Sequence, residues 1–374
     1  MTAARSSGRR PSPMVLAPLA VLVVYWLVAS VVIALDPFDV YGWGRLVAAD
    51  PRNTTDDNRY LLDAVAKDPA IDLLMVGSST AAPYSPADLQ RAYPDARHPY
   101  NLSYDAARPA DRKVVMNAIV DRSKAKRLVV WLDWFYGLPQ QAQDPSFPSY
   151  MYDRSRYNDL RMVNETAFGA SLRMLRGGSP FDDFPRRLAR RSAQFAKAYA
   201  KFQSPAALRT LASKVKMYRP IIDRAGVKSC ASLASFNSGL LEPLRKWVAS
   251  GRPADIVIPA YSPAFYYNRG DPASGLKLAD QLMLRRCAVL ETANLPGVRV
   301  IALDADAQLT GDLRNYQDTG HLFGARPLGT ALEHIARGDL VLTPGNVDAY
   351  LAGLRRSVVG YQVPAAPGRQ LNPR

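Results

Sequence analysis

Ile71-Asp72-Leu73-Leu74-Met75-Val76-Gly77-Ser78-Ser79-Thr80 is an apolar run that stops abruptly at Gly-Ser-Ser. Such a run predicts a strand buried on both faces of a parallel sheet. A helix pattern begins a few residues later at Pro86, so the strand would deliver a serine to the carboxyl edge of the sheet, where open α/β sheets bind ligands. Gly77 lets the chain turn tightly and brings backbone N–H groups close to whatever the serine touches. On its own, Gly-Ser-Ser after a strand is more often a plain turn, so the chemistry needs a partner.

The partner lies about 240 residues on, at Tyr316-Gln317-Asp318-Thr319-Gly320-His321-Leu322-Phe323. An Asp three residues before a His can set carboxylate and imidazole side by side, leaving the other ring nitrogen to serve a serine. The chain has only three histidines. His334 falls within a helix pattern, and His98 precedes the second predicted strand with no carboxylate at useful spacing. A loop His beside an Asp can equally be structural, and the serine on the first strand favours the catalytic arrangement.

These two stretches resemble the SGNH (GDSL-type) hydrolase superfamily. Gly77-Ser78-Ser79 is similar to the family's first block, with Ser78 in its Asp position, and the resemblance implies Ser79 as nucleophile. Asp318-Thr319-Gly320-His321 is similar to the closing Asp-x-x-His block, implying His321 as base and Asp318 as its orienting carboxylate. Tyr100-Asn101-Leu102-Ser103-Tyr104-Asp105-Ala106 resembles the second block, with Ala106 where the family has an oxyanion-hole glycine. The third block, Gly-x-Asn-Asp, is replaced by Leu132-Asp133-Trp134-Phe135-Tyr136-Gly137, so the usual side-chain oxyanion donor is missing, and Asn101 is the substitute candidate. The similarity covers roughly 55–135 and 235–340. It points to a membrane-anchored branch that handles acyl groups on bacterial envelope polymers, and it allows a membrane acyltransferase as partner.

From Met14 to Leu35 no residue is charged, a length that spans about 30 Å of hydrocarbon as a helix. Arg5, Arg9 and Arg10 precede it and Asp36 and Asp39 follow, which predicts a cytoplasmic tail (1–13), an anchor (14–35) and an extracytoplasmic domain (36–363); the resemblance implies that the membrane is the bacterial inner one. Cleavage near Ala34 is the alternative. Beyond the anchor, apolar segments alternate with helix patterns: strands over 71–77, 98–102, 127–132, 255–259 and 298–303, with helices between them. That alternation predicts a doubly wound, mostly parallel five-stranded α/β sheet, and the resemblance implies that it is of SGNH or flavodoxin-like type.

The pattern breaks over 138–235, read as irregular to 165 and then as a mainly helical insertion. From Phe184 to Lys228 there are twelve Lys or Arg against one acidic residue, Asp223. This is either a solvated face or a cap attracting an anionic glycan or the phospholipid surface. Nucleic acid is disfavoured, because the anchor directs the domain away from the cytoplasm. The net charge of +15 owes much to this segment. Cys230 and Cys287, the only cysteines, are either bridged or two buried thiols. No zinc-site spacing and no phosphate-cradling Gly-rich motif occurs, so no metal or nucleotide cofactor is expected. Residues 364–374 read as a disordered tail. The expected activity is a Ser-His-Asp esterase or O-acyltransferase acting on an acylated envelope polysaccharide or small ester. The competing expectation is a non-catalytic protein that keeps the fold to bind a glycan or partner.

Overall fold

The computed structural model describes residues 13–38, 40–41, 58–139, 142–152, 159–176, 194–222, 224, 226–269 and 276–364. The chain divides into two compact units, one within 1–47 and 153–183, the other within 48–152 and 184–374. The segment 153–183 therefore groups with the N-terminal helix rather than with the rest of the expected 138–235 insertion. Apart from Pro13 and Pro364, the predicted tails lie outside the described residues, as do Arg186, Arg187, Arg190 and Arg191 of the basic segment.

In the first unit a helix spans Pro13–Leu35, and its Leu16–Leu35 portion is long and apolar enough to cross a membrane. Asp36 stops it. Its φ of 44° leaves the right-handed region, which Asp tolerates better than most residues. Its carboxylate then accepts the N–H groups of Val40 at 2.8 Å and Tyr41 at 2.9 Å. A second helix, Glu165–Leu175, is capped by Asn164, whose side chain accepts from Ala167 N–H, and packs against the first.

The second unit is built on a sheet of β1 (Leu73–Val76), β2 (Pro99–Asn101), β3 (Arg127–Trp131), β4 (Ala254–Ile258), β5 (Val298–Ala302) and β6 (Val341–Leu342). Their order is β2-β1-β3-β4-β5-β6. The first five are parallel, in registers such as Leu74 opposite Tyr100 and Leu128. The sheet therefore has six strands, not five: β6 adds antiparallel to β5. Its two residues are too few to leave an alternation in the sequence. β1 and β4 are buried at every position, as strands covered on both faces must be. Leu73, Met75, Val129, Trp131, Val257 and Ile301 form the sheet's share of one core, closed by Leu309, Ala331, Leu332 and Ile335.

The predicted helices between the strands are present, among them Pro86–Ala92, Pro109–Arg122, Leu278–Thr292 and Ala325–Arg337. Ser85 starts the first with a reciprocal capping box to Asp88. Within the basic segment, helix Pro205–Tyr218 buries Leu208, Leu211 and Val215 in a cluster with Tyr261, Phe265 and Tyr266. It is part of the body of the unit: Lys216 is exposed, while the half-buried Lys214 donates from Nζ to Asn268 Oδ1 at 2.8 Å. Cys230 and Cys287 are bridged, with Cα atoms 5.5 Å apart.

Candidate active site

The parallel order 2-1-3-4-5 reverses direction between β1 and β3, and ligands of open α/β sheets bind at that switch point. The loops leaving β1, β2 and β3 meet there. Gly77 ends β1 where space is exhausted. A Cβ on it would lie 2.4 Å from Ala81 Cβ and 2.9 Å from both Ser103 Oγ and Trp131 Cβ. Only glycine fits, and the next two residues turn with Ala81 and Ala82 N–H both donating to Ser78 O. Ser78 is buried, its Oγ 3.4 Å from Thr80 Oγ1. Ser79 is half-buried.

Ser79 Oγ lies 2.7 Å from His321 Nε2, inside the reach required of a nucleophile and its base. His321 Nδ1 in turn sits 2.8 Å and 2.9 Å from the two Asp318 oxygens. The loop bearing both is fixed from several sides. Asp318 Oδ1 also accepts Gly320 N–H at 2.7 Å and His321 N–H at 3.0 Å. Ser262 Oγ donates to Thr319 O at 2.6 Å, and Asn268 Nδ2 to Thr319 Oγ1 at 3.2 Å. Gly320 rests on the Phe265 ring, which a Cβ would meet at 2.9 Å.

The electrostatics follow from this geometry. Burial alone would lower the pKa of His321, but the hydrogen bond and charge of Asp318 outweigh it, and more distant Asp105 and Asp133 add to the effect, so the ring is raised above its ordinary value. Burial would likewise raise Asp318; the His321 ring and two backbone N–H groups overcome that and hold it below the usual carboxylate range. The pair is set to hold charge on the imidazolium after it takes a proton.

Ala106, at the expected oxyanion position, has a φ of 55°. That is the left-handed conformation in which glycine is at ease and alanine costs about 1–2 kcal/mol. Among the described residues the N–H groups of Ser79 and Ala106 donate to no acceptor. Asn101 is not available as a third donor. Its amide nitrogen gives its hydrogens to Ala81 O at 2.9 Å and Tyr84 O at 2.8 Å, and its oxygen accepts Ser103 N–H. It is fully buried and ties the β2 loop to the turn that follows Ser79. The expectation of an oxyanion role for Asn101 is corrected accordingly.

Where the third block is missing, Asp133 takes a different part. It is fully buried. One oxygen accepts Thr80 Oγ1 at 2.6 Å and Tyr261 OH at 3.1 Å. The other pairs with Arg112, whose Nη1 donates to Trp131 O at 2.7 Å. Burial opposes the Arg112 charge, but Asp133 and Tyr136 raise its pKa above the ordinary value and keep it charged. Two ions this deep are stable only as a pair. Arg112 and Thr80 were not foreseen from sequence; an Asp interrupting the end of an apolar strand was the available signal. Trp134 and Phe135 follow with rings 4.3 Å apart, and Phe265 meets Trp134 edge-on.

His334 is held by Asp306 and Asp339 at 2.8 and 2.9 Å, away from the serine. Among the described residues no cluster of three or more His, Cys, Asp or Glu side chains could hold a metal ion. The arrangement of Ser79, His321 and Asp318 can generate an alkoxide equivalent, accept its proton and stabilise the resulting cation. Compared with known protein families and with curated proteins, the chain matches no family model and no curated sequence.

Proposed function

We propose that this protein is an SGNH-type serine esterase or O-acyltransferase, held at a membrane by its N-terminal helix and acting on acyl esters of an extracytoplasmic glycan. The observation that carries the reading is the unbroken chain from Ser79 Oγ to His321 Nε2 at 2.7 Å and from His321 Nδ1 to Asp318 at 2.8 Å. A serine hydroxyl, an imidazole and a carboxylate in that order are what acyl transfer requires.

Ser79 Oγ attacks the ester carbonyl carbon as His321 Nε2 takes its proton, and the carbonyl electron pair moves onto oxygen. The N–H groups of Ser79 and Ala106 receive that oxyanion, and Asp318 stabilises the imidazolium. Collapse breaks the bond to the leaving alkoxide, which takes the proton back from His321, and the acyl group remains on Ser79. Water or a sugar hydroxyl then repeats the sequence in reverse, with His321 as base. The left-handed Ala106 supports its donor role, since that conformation is otherwise an uncompensated cost. The lack of a side-chain donor in the third-block position leaves a two-donor hole, and one lost donor raises the barrier by about 3 kcal/mol. The glycan and the extracytoplasmic placement rest on the resemblance and on the charge pattern around the apolar helix.

The test is a fluorophosphonate probe applied to the full chain in detergent, with the adduct located by peptide mass spectrometry. Labelling at Ser79, lost in Ser79→Ala and His321→Ala, is the expected result. An unlabelled, folded protein would return the site to the alternative reading, a binding module that keeps the fold without the chemistry.

A further inference from the structure

Along the N-terminal helix every residue from Leu16 to Leu27 is exposed, whereas Ala29 and Val32 are fully covered and Val28, Val31, Ile33 and Leu35 partly so. The change coincides with the packing of helix Glu165–Leu175 against it. The packed face of that second helix carries Ala167, Ala170 and Ser171, all buried. Residues at i, i+3 and i+4 share a face, and small side chains let two backbones approach closely, as helices in lipid do.

A second stripe on the same helix is apolar and unfilled. Phe168, Leu172 and Leu175 recur at i, i+4 and i+7, the first two part-exposed and Leu175 59 % exposed. Arg173 and Arg176 stand at its C-terminal end. The twenty uncharged residues Leu16–Leu35 match the hydrocarbon thickness of about 30 Å, so the turns from Val28 to Leu35 lie within about 12 Å of one membrane boundary. A helix packed on those turns lies at the same boundary.

We propose that Glu165–Leu175 is an interfacial helix whose partner is the phospholipid surface. Phe168, Leu172 and Leu175 enter the boundary between headgroups and acyl chains, and the exposed Arg176 beyond them extends toward lipid phosphates. The inference rests on the anchor reading of Pro13–Leu35 and strengthens it: removing that helix as a signal sequence would strip the cover from Ala167, Ala170 and Ser171. The first unit is then held by two elements, one spanning the membrane and one at its boundary.

The experiment uses the full chain in vesicles of phosphatidylcholine and phosphatidylglycerol, with Leu175→Cys carrying an environment-sensitive fluorophore. Cys230 and Cys287 are paired and do not compete for the label. Carbonate extraction and intact mass come first. The expected result is a retained, uncleaved chain whose probe emits blue-shifted light, quenched more by nitroxides near the headgroup than by deep ones and little by aqueous iodide. Phe168→Glu with Leu172→Glu should shift the emission red and admit iodide, while fluorophosphonate labelling of Ser79 stays intact as the measure of folding. Release of the chain by carbonate would overturn the anchor itself. Retention with a water-exposed probe, or a probe unmoved by the double substitution, would overturn the interfacial helix alone.

Discussion

Asp318→Asn is the most searching change at the candidate site, because it alters a tautomer rather than a shape. In the protein Asp318 Oδ1 accepts two backbone N–H groups, and an Asn oxygen in the same place would go on accepting them. That puts the amide nitrogen in the place of Asp318 Oδ2, 2.8 Å from His321 Nδ1, beside an oxygen at 2.9 Å whose two lone pairs are already taken by the backbone N–H groups. A donor there forces Nδ1 to become the acceptor, so the proton moves to Nε2, the atom that must take the proton of Ser79. The loss for such an exchange can reach about 10⁴-fold in kcat. The Asp318 side chain is 47 % exposed, and water will supply part of what the carboxylate gave. The lower end, about 10³-fold or ~4 kcal/mol of barrier, is therefore expected.

The assay is turnover of a short-chain acyl ester by the full chain in detergent across a pH series. Because Asp318 raises the pKa of His321, the neutral base is lost at a higher pH than for an ordinary imidazole. The wild-type acid limb of kcat/KM should thus lie above about 6.5. In the Asn variant the limb should move to lower pH, with the plateau depressed. Asp318→Ala, which leaves the ring free to choose its tautomer, should retain at least as much activity. An Asn variant within about threefold of wild type, with an unmoved limb, would refute the tautomer reasoning.

Thr80→Val removes the hydroxyl that donates to Asp133 at 2.6 Å while keeping the branched shape. It should lower kcat about tenfold with KM unchanged, and Thr80→Ser should restore it; steady-state kinetics decides. Ala106→Gly relieves a φ of 55° at the expense of a looser unfolded chain, for a net gain of about 0.5–1 kcal/mol in thermal unfolding, whereas Ala106→Val should be clearly destabilising. Replacing both Cys230 and Cys287, 57 residues apart, by Ser should cost up to about 4 kcal/mol by loop entropy, read as a lowered midpoint in denaturant.

What the sequence revealed and what it concealed follow from how locally each feature is written. β1 is an unbroken apolar run and β3 is one from Leu128 onward, the pattern that burial on both faces leaves in a strand. Asp318 and His321 are three residues apart, so their pairing needs no knowledge of the fold. Arg112 is different: on helix Pro109–Arg122 an arginine reads as a surface residue, and only the end of β3 brings Asp133 to it. Asn101 misled because an amide at a strand end looks available until its neighbours Ala81 and Tyr84 are placed. Helix Glu165–Leu175 begins where the stretch expected to be irregular ends, but its bounds were not legible, because the face it packs with is marked by small residues that carry little hydrophobic signal. β6 has two residues and no pattern at all.

The long separation between Ser79 and His321 has a consequence for the life of the chain. All five parallel strands precede Asp318, so a fragment ending after Ala302 holds every strand around Ser79 and still lacks its base. A serine without that imidazole is an ordinary alcohol. Under the proposed chemistry, the chain stays inert throughout synthesis and becomes reactive only when its final segment docks. Folding to completion then acts as the arming step, and a prematurely terminated copy is harmless to the esters around it.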